Sequence, residues 1–118
     1  MVNTVFYIKT CDTSRKIIKD FGLIHGFNLR EVKSKQITEG ELEELAQMAG
    51  SFEALFSRRS RAFTQKNLKG QKLTESQLKA LILEEYTFLK RPVVVHNNQI
   101  FIGSSSKEKE KLSAALKA

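Results

Sequence analysis

The sequence predicts an α/β protein with a mixed four-stranded sheet and an inserted helical segment. Three observations predict this class. A strand, a helix and a second strand follow one another over residues 4–32, amphipathic helices dominate the middle of the chain, and two short strands and a helix close it. A helical crossover joins parallel strands, whereas a two-residue turn joins antiparallel ones. The sheet is therefore expected to contain both kinds of pairing.

The first strand, helix and second strand are predicted from residue type and periodicity. Residues 4–9, TVFYIK, mix β-branched and aromatic residues, as a buried strand does. A helix follows over residues 13–21, because Ile17, Ile18 and Phe21 share one face and Gly22 can end it. The second strand, FNLREV at 27–32, is weaker. Together they are expected to form a parallel βαβ unit.

The middle of the chain is predicted to be helical. Residues 38–50, TEGELEELAQMAG, form a clear helix that opens with a capping box of Thr38 and Glu41. Residues 57–72, SRRSRAFTQKNLKGQK, are basic and indicate a loop with some helical character. A further helix over residues 74–86 has Thr74 and Gln77 in capping-box positions. These elements predict a helical insertion at about residues 34–83.

The last part of the chain is predicted to be a β-hairpin and a helix. The strands PVVVH and QIFIG are joined by Asn97 and Asn98, which tolerate the positive φ of a two-residue turn. The final helix, SSKEKEKLSAALKA, turns Leu112 and Leu116 inward. This order of elements is typical of a thioredoxin-like sheet. The expected organisation is one domain, 1–118, with its core at about 1–33 and 84–118.

Composition and charge indicate which kinds of partner and site the protein is expected to have. The 118 residues carry a net charge of +7, which favours anionic partners. No apolar run approaches 18 residues, so no membrane span is expected. The start of the chain lacks a signal-peptide pattern, and a single cysteine excludes an internal disulfide, so a cytoplasmic location is expected. Two histidines and one cysteine, far apart, indicate no metal site. Without a recognised motif, direct nucleic-acid binding is not expected.

Cys11 is the residue that points to chemistry. If it lies just before the first helical turn, free backbone N–H groups and the helix dipole favour its thiolate. Arg15 adds positive charge, and Thr13 and Ser14 can donate hydroxyl hydrogen bonds. Asp12 either opposes ionisation or caps the helix with its side chain facing away. The spacing suits a nucleophile for an anionic or disulfide substrate, and it suits a buried, inert cysteine equally well.

Three motifs decide between these readings: CDTSRK at 11–16, SRRSRAF at 57–63 and LKRPVVV at 89–95. In this order and at these spacings they resemble the family of glutaredoxin-coupled arsenate reductases and Spx-type proteins, over essentially the whole chain. The resemblance implies a thioredoxin-like fold with an inserted helical subdomain. It further implies no bound cofactor, glutathione as co-substrate and glutaredoxin as a possible partner.

The resemblance also implies roles for individual residues. Cys11 matches the nucleophile. The residues that match the anion-binding positions come from the loop and from two distant segments: Thr13, Ser14, Arg15, Arg59 and Arg91. Pro92 matches a structural cis-proline.

Three departures from the family pattern bear on function. Tyr7 stands where the reductases have a histidine, and Ser104 stands near the position of a further arginine. Ser14 replaces the second cysteine of the Spx redox pair. Two functions are therefore expected: a cytoplasmic thiol-dependent oxidoreductase acting on an oxyanion or a thiol/disulfide substrate, or an Spx-like transcriptional regulator that binds RNA polymerase without turnover.

Overall fold

The computed structural model describes residues 1–118, which form two compact units. The first unit comprises Met1–Lys35 and Arg91–Ala118, and the second comprises Gln36–Lys90. The elements of the first unit are β1 Thr4–Tyr7, α1 Asp12–Asp20, β2 Asn28–Glu31, β3 Val93–His96, β4 Gln99–Ile102 and α5 Ser106–Lys117. Those of the second are α2 Glu39–Ala49, α3 Arg61–Gln65, α4 Glu75–Glu84 and two 3₁₀ turns, Glu53–Leu55 and Tyr86–Phe88.

The sheet of the first unit has the strand order β2-β1-β3-β4. β1 is parallel to β2 and antiparallel to β3, and β3 is antiparallel to β4. The mixed four-stranded sheet is thus confirmed. β1 ends at Tyr7 instead of continuing to residue 9, because neither neighbouring strand pairs beyond that point. The chain turns there, and the Ile8 carbonyl accepts the amide of Cys11 at 3.0 Å.

The core of the first unit lies between one face of the sheet and the two helices α1 and α5. Val5, Val94 and Phe101 are paired across three neighbouring strands, so their side chains share that face. They pack with Ile17 of α1 and Leu112 of α5, and all five are at most 8% exposed. The periodicity of both helices therefore predicted the face that is buried.

The hairpin between β3 and β4 has the predicted two-residue turn. Asn97 and Asn98 have φ values of 50° and 63°, which match a left-handed conformation at both positions. Asparagine tolerates this conformation better than most residues do. The turn is tied to the start of the chain, because the Asn97 amide donates to the Asn3 side-chain oxygen at 2.9 Å.

The second unit is built from helices, and the sequence predicted where the two longer ones begin. Both capping boxes are formed, at the starts of α2 and α4. The segment predicted as a loop with some helical character contains α3, a short helix capped by Ser60. The unit extends to Lys90, because the Ser57 amide donates to the Phe88 carbonyl at 2.7 Å and the Lys90 amide donates to the Leu55 carbonyl at 2.8 Å. None of the helices is both long and apolar enough to span a bilayer.

Candidate functional site

Cys11 is the N-cap of α1. Its φ and ψ of −89° and 107° are those of an extended residue at a helix start. Its amide donates to the Ile8 carbonyl, and its carbonyl accepts the Arg15 amide, the latter at 3.0 Å. The thiol makes no capping hydrogen bond and is half-buried. The sulfur therefore lies at the positive end of a nine-residue helix and remains accessible from outside.

The surroundings of the sulfur favour its charged form. Burial acts to raise the pKa of the Cys11 thiol and is the largest single influence on it. The Ser14 hydroxyl and amide, then the charge of Arg91, then the Thr13 amide act in the opposite direction and together outweigh burial. The pKa of Cys11 is therefore lowered, as a nucleophilic thiol requires.

Among the residues around the Cys11 sulfur, Ser14 is unusual because its hydroxyl is buried without a hydrogen-bond partner. Its side chain is 0% exposed, and its Oγ makes no hydrogen bond of ordinary geometry with any protein atom. A buried hydroxyl without a partner is costly and calls for an explanation. The same hydroxyl lowers the pKa of Cys11, so it lies within reach of the sulfur. We interpret it as a donor that turns to the sulfur when the thiol ionises.

Asp12 does not cap the helix, contrary to one of the two roles expected for it. The cap is Cys11 itself, and the Asp12 side chain is 99% exposed, with its Oδ1 3.8 Å from a guanidinium nitrogen of Arg15. This exposed pair directs the Arg15 charge toward Asp12, and the cation that lowers the thiol pKa is Arg91. The anion-binding role of Arg15 stays a prediction.

Arg91 reaches the site from the chain segment that precedes β3. The Arg91–Pro92 peptide bond is cis, the isomer that the resemblance implies. Arg91 is half-buried and pairs with no carboxylate. The Pro92 carbonyl accepts the Gly103 amide at 2.9 Å, which brings the residue after Gly103, Ser104, to the same end of the unit. An unpaired guanidinium beside a thiolate is suited to receive an anionic substrate.

Arg59 belongs to the second unit. It lies in the turn before α3, where its side chain is exposed. Its neighbour Arg58 pairs with Glu53 at 3.2 Å and covers the ring of Phe56. The assignment of Arg59 to the anion site stays a prediction from the resemblance.

Glu31 is a residue of the site that the sequence analysis missed. It ends β2 and lies opposite Tyr7, the last residue of β1. One of its oxygens accepts the Lys9 amide at 2.9 Å, and the other accepts both the amide and the hydroxyl of Ser34. Glu31 thus anchors the loop that leads to Cys11. The sequence did contain a signal for this role. Glu31 ends a strand predicted to be parallel to β1, and the carboxyl ends of parallel neighbouring strands meet at one edge of a sheet.

These hydrogen bonds set the ionisation of Glu31. Burial acts to raise its pKa, but the Ser34 hydroxyl and the amides of Ser34, Lys9 and Lys33 outweigh it and lower the pKa to about 2. A carboxylate that accepts several backbone N–H bonds behaves in this way. Glu31 therefore holds the loop as a charged acceptor throughout the neutral range.

Replacing Ser14 with alanine is expected to raise the pKa of Cys11. The variant removes a donor to the thiolate, and a hydrogen bond to a charged group contributes about 1.5–3 kcal/mol. The rate of alkylation by iodoacetamide below neutral pH should fall about tenfold or more. Thr13→Ala is the matched control, because Thr13 acts through its amide and its side chain is exposed. Equal thiolate titration curves for the two variants, followed by ultraviolet absorbance, would contradict the role given to the Ser14 hydroxyl.

Replacing Glu31 with glutamine is expected to flatten the acid dependence of stability. The pKa of Glu31 is depressed in the folded state, so its charge stabilises the fold above the ordinary value of 4.5, and this stabilisation is lost as the pH falls toward about 2. Urea unfolding at pH 7, 4 and 2.5 measures the effect. The wild type should lose more unfolding free energy over this range than the variant. Glu110→Gln, on the exposed side of α5, is the control and should follow the wild type.

Comparison with known proteins places this geometry in context. The model of the ArsC family matches residues 6–112. No curated protein matches the chain. The solved structures that are similar include an arsenate reductase from Vibrio cholerae, at 19% identity and a TM-score of 0.75, with 98% of this chain and 99% of that chain covered.

Two further structures are similar to a comparable degree. A Bacteroides fragilis protein described as related to the ArsC family has 22% identity and a TM-score of 0.78, covering 95% of this chain and 98% of its own. An arsenate reductase related protein from Brucella melitensis has 21% identity and a TM-score of 0.68, covering 94% and 93%. At these identities the likeness confirms the predicted fold, and the fold alone does not assign a substrate.

Proposed function

The chain belongs to the ArsC family, and on this premise we propose that it is a thiol-dependent oxidoreductase in which Cys11 is the nucleophile. The observation that carries the proposal is the position of Cys11, a half-buried cysteine at a helix N-cap, in surroundings that include Ser14 and Arg91 and lower the pKa of its thiol. A structural cysteine needs no such environment, whereas a nucleophile does. The Arg91 guanidinium supports an anionic substrate, either a small oxyanion or an anionic disulfide.

The disulfide reaction can be written with its atoms balanced. The Cys11 thiolate attacks one sulfur of the substrate, a mixed disulfide forms, and the other sulfur leaves as a thiolate. A low-molecular-mass thiol, which we propose to be glutathione, then attacks the mixed disulfide and releases Cys11. A second molecule of that thiol, or glutaredoxin, then reduces the mixed disulfide between glutathione and the substrate and releases the second half of the substrate as a thiol. The substrate gains two electrons, and two thiols are oxidised to one disulfide.

An external thiol is required because the chain has no second cysteine. Ser14 occupies the position at which a C-x-x-C pair would have its resolving thiol, and its side chain is buried. An intramolecular disulfide is therefore impossible in this chain. Glutathione is the common soluble thiol of reducing compartments, so we place the reaction in the cytoplasm.

Mass spectrometry of the intact protein tests the proposal. The native chain is exposed in turn to oxidised glutathione, arsenate with glutathione, and hydrogen peroxide, and Cys11→Ser serves as the control. We expect a glutathione adduct on Cys11 that reduced glutathione with glutaredoxin removes, together with measurable turnover of a small disulfide. A native thiol that forms no adduct with any of the three reagents would overturn the assignment of Cys11 as nucleophile.

One observation favours a second function, that of a regulator which binds RNA polymerase without turnover. Four basic side chains of the second unit, Arg59, Arg61, Lys69 and Lys72, are exposed and have no carboxylate partner. Exposed, unpaired charges of one sign attract an acidic protein surface. Co-purification of polymerase subunits with the native chain, lost when these four residues are reversed in charge, would support this function. Its persistence in Cys11→Ser would separate it from the thiol chemistry.

A further inference from the structure

A groove of about 650 Å³ lies on the first unit, beside the helix that begins at Cys11. Its apolar lining comes from Tyr7 of β1, Ile18 of α1, Ile24 of the following turn and Leu29 of β2. Tyr7, Ile18 and Leu29 pack against the core with their inner sides and remain only partly buried. The groove is therefore an outer surface of the core that no other part of this unit covers.

Ile24 stands out among these residues. Its side chain is 64% exposed, and only Val2, at 71%, is a comparably exposed large apolar residue in the chain. A single exposed isoleucine is ordinary, but this one continues an apolar surface that three half-buried side chains begin. The volume is that of a site for a small organic molecule, since such sites measure about 300–1,000 Å³.

The polar part of the lining has a single sign of charge. Lys9, Arg15 and Lys19 line the groove together with His25, and no carboxylate does. No salt bridge joins Lys9 or Lys19 to a carboxylate, because the neighbouring Asp20, on which the Lys19 charge acts, pairs with Lys16. Arg15 has only a loose, exposed pair with Asp12. The groove thus offers an apolar floor and a cationic rim.

We propose that this groove binds an organic carboxylate with an apolar body of medium chain length. The apolar floor accommodates the hydrocarbon part, and the three cations receive the carboxylate. The Cys11 sulfur does not line the groove, although Arg15 of the same loop does. The proposal does not depend on the thiol chemistry proposed above.

Charge and size together favour a small carboxylate over other occupants. A neutral apolar ligand would leave Lys9 and Lys19 without a salt-bridge partner, and an organic cation would be repelled by the cationic rim. A protein segment in the groove would have to be short, because the lining comes from one helix, the turn after it, one residue of each of two strands and the loop after β1. A carboxylate with a chain of about eight to ten carbons satisfies both the charge and the volume.

Titration by nuclear magnetic resonance tests the proposal with defined probes. Hexanoate, octanoate and decanoate are added to the full chain, below their micelle concentrations, and octanamide and octylamine serve as neutral and cationic counterparts. We expect saturable shifts at Ile18, Ile24 and Leu29. Each added CH₂ should tighten binding about two- to fourfold, by the free energy of methylene transfer. Octanamide should bind at least about threefold more weakly than octanoate, and added salt should reduce the difference.

Two pairs of variants assign the binding to the groove. Ile24→Glu should abolish binding, whereas Val2→Glu, at the other exposed apolar residue, should leave it unchanged. Lys19→Glu should weaken decanoate binding about three- to tenfold, whereas Lys69→Glu, an exposed lysine of the second unit, should not. Lys19→Gln gives a smaller loss and guards against a folding defect. Cys11→Ser should bind decanoate as the native chain does.

Specific outcomes would overturn the proposal. Octanamide that binds as tightly as octanoate would remove the role of the cations. Shifts that are the same in Ile24→Glu and in the native chain would place the ligand elsewhere. Absence of saturable shifts with decanoate at millimolar concentration would show that the groove is not a carboxylate site.

Discussion

Replacing Cys11 with serine is expected to abolish turnover and to leave the fold at least as stable as that of the native chain. A serine hydroxyl stays protonated at neutral pH and cannot replace a thiolate as nucleophile without a general base. The rate should fall by at least about 10³-fold, toward the uncatalysed reaction with glutathione. This is the largest effect expected of any single substitution.

The stability of the same variant follows from the position of Cys11. An N-cap serine accepts a hydrogen bond from an amide of the first helical turn, and it is among the preferred residues there. Cys11 makes no such bond. Serine should therefore stabilise α1 by up to about 1 kcal/mol. A cysteine at a position where serine would stabilise the helix better supports a chemical role for the thiol.

Two measurements on one sample check this expectation. Turnover of a small disulfide is followed with glutathione and glutaredoxin, and unfolding is followed by circular dichroism in urea. Activity retained by Cys11→Ser would contradict the proposed nucleophile. Loss of activity accompanied by a large loss of stability would show that the cysteine is needed for packing.

The second large effect concerns arsenate. The protein is expected to reduce arsenate about 10²–10³-fold more slowly than an established arsenate reductase assayed beside it with glutathione and glutaredoxin. An anionic substrate must approach a thiolate that repels it, and cations arranged beforehand lower that barrier. Ser104 stands where the resemblance expects a further arginine, and one missing preorganised contact costs about 2.7–4 kcal/mol.

A gain-of-function variant makes this reading testable. Ser104 follows Gly103, whose amide is bonded to the Pro92 carbonyl, so Ser104→Arg introduces a guanidinium at the end of the unit that holds Arg91. It should recover part of the arsenate turnover. Ser106→Arg, an exposed position in the first turn of α5, is the control for added charge alone. Turnover by the native chain equal to that of the established reductase would show that the missing arginine is not needed.

Elements with a local cause could be predicted from the sequence. The two capping boxes and the hairpin turn depend on residues within three or four positions of one another, and each was confirmed. The burial of Ile17 and Leu112 followed from helical periodicity. Strand ends were less predictable. β1 ends at Tyr7 because its pairing with β2 and β3 ends there, and the residues of β1 do not determine how long the neighbouring strands are.

In the candidate site too, features with a local cause could be predicted and features that depend on distant residues could not. Cys11 and its position at the start of α1 were predicted from adjacent residues. The groups that set the pKa of its thiol could not be predicted in this way. Arg15 is only four residues away, but the cation that lowers the pKa of the thiol is Arg91, from the segment before β3. The cationic groove was not predicted either, since its residues come from β1 and the loop after it, from α1 and the turn after it, and from β2.

The sequence by itself determined the order of the elements, the mixed sheet, the helix start at Cys11 and the family to which the chain belongs. Each of these depends on short-range patterns or on motifs read along the chain. Only the tertiary structure decided which groups surround the sulfur: the buried Ser14 hydroxyl, the Arg91 charge and the Glu31 carboxylate that anchors the loop. The physical reason is that a pKa and a binding surface depend on distances through space. Strand pairing brings together residues that are far apart in the chain.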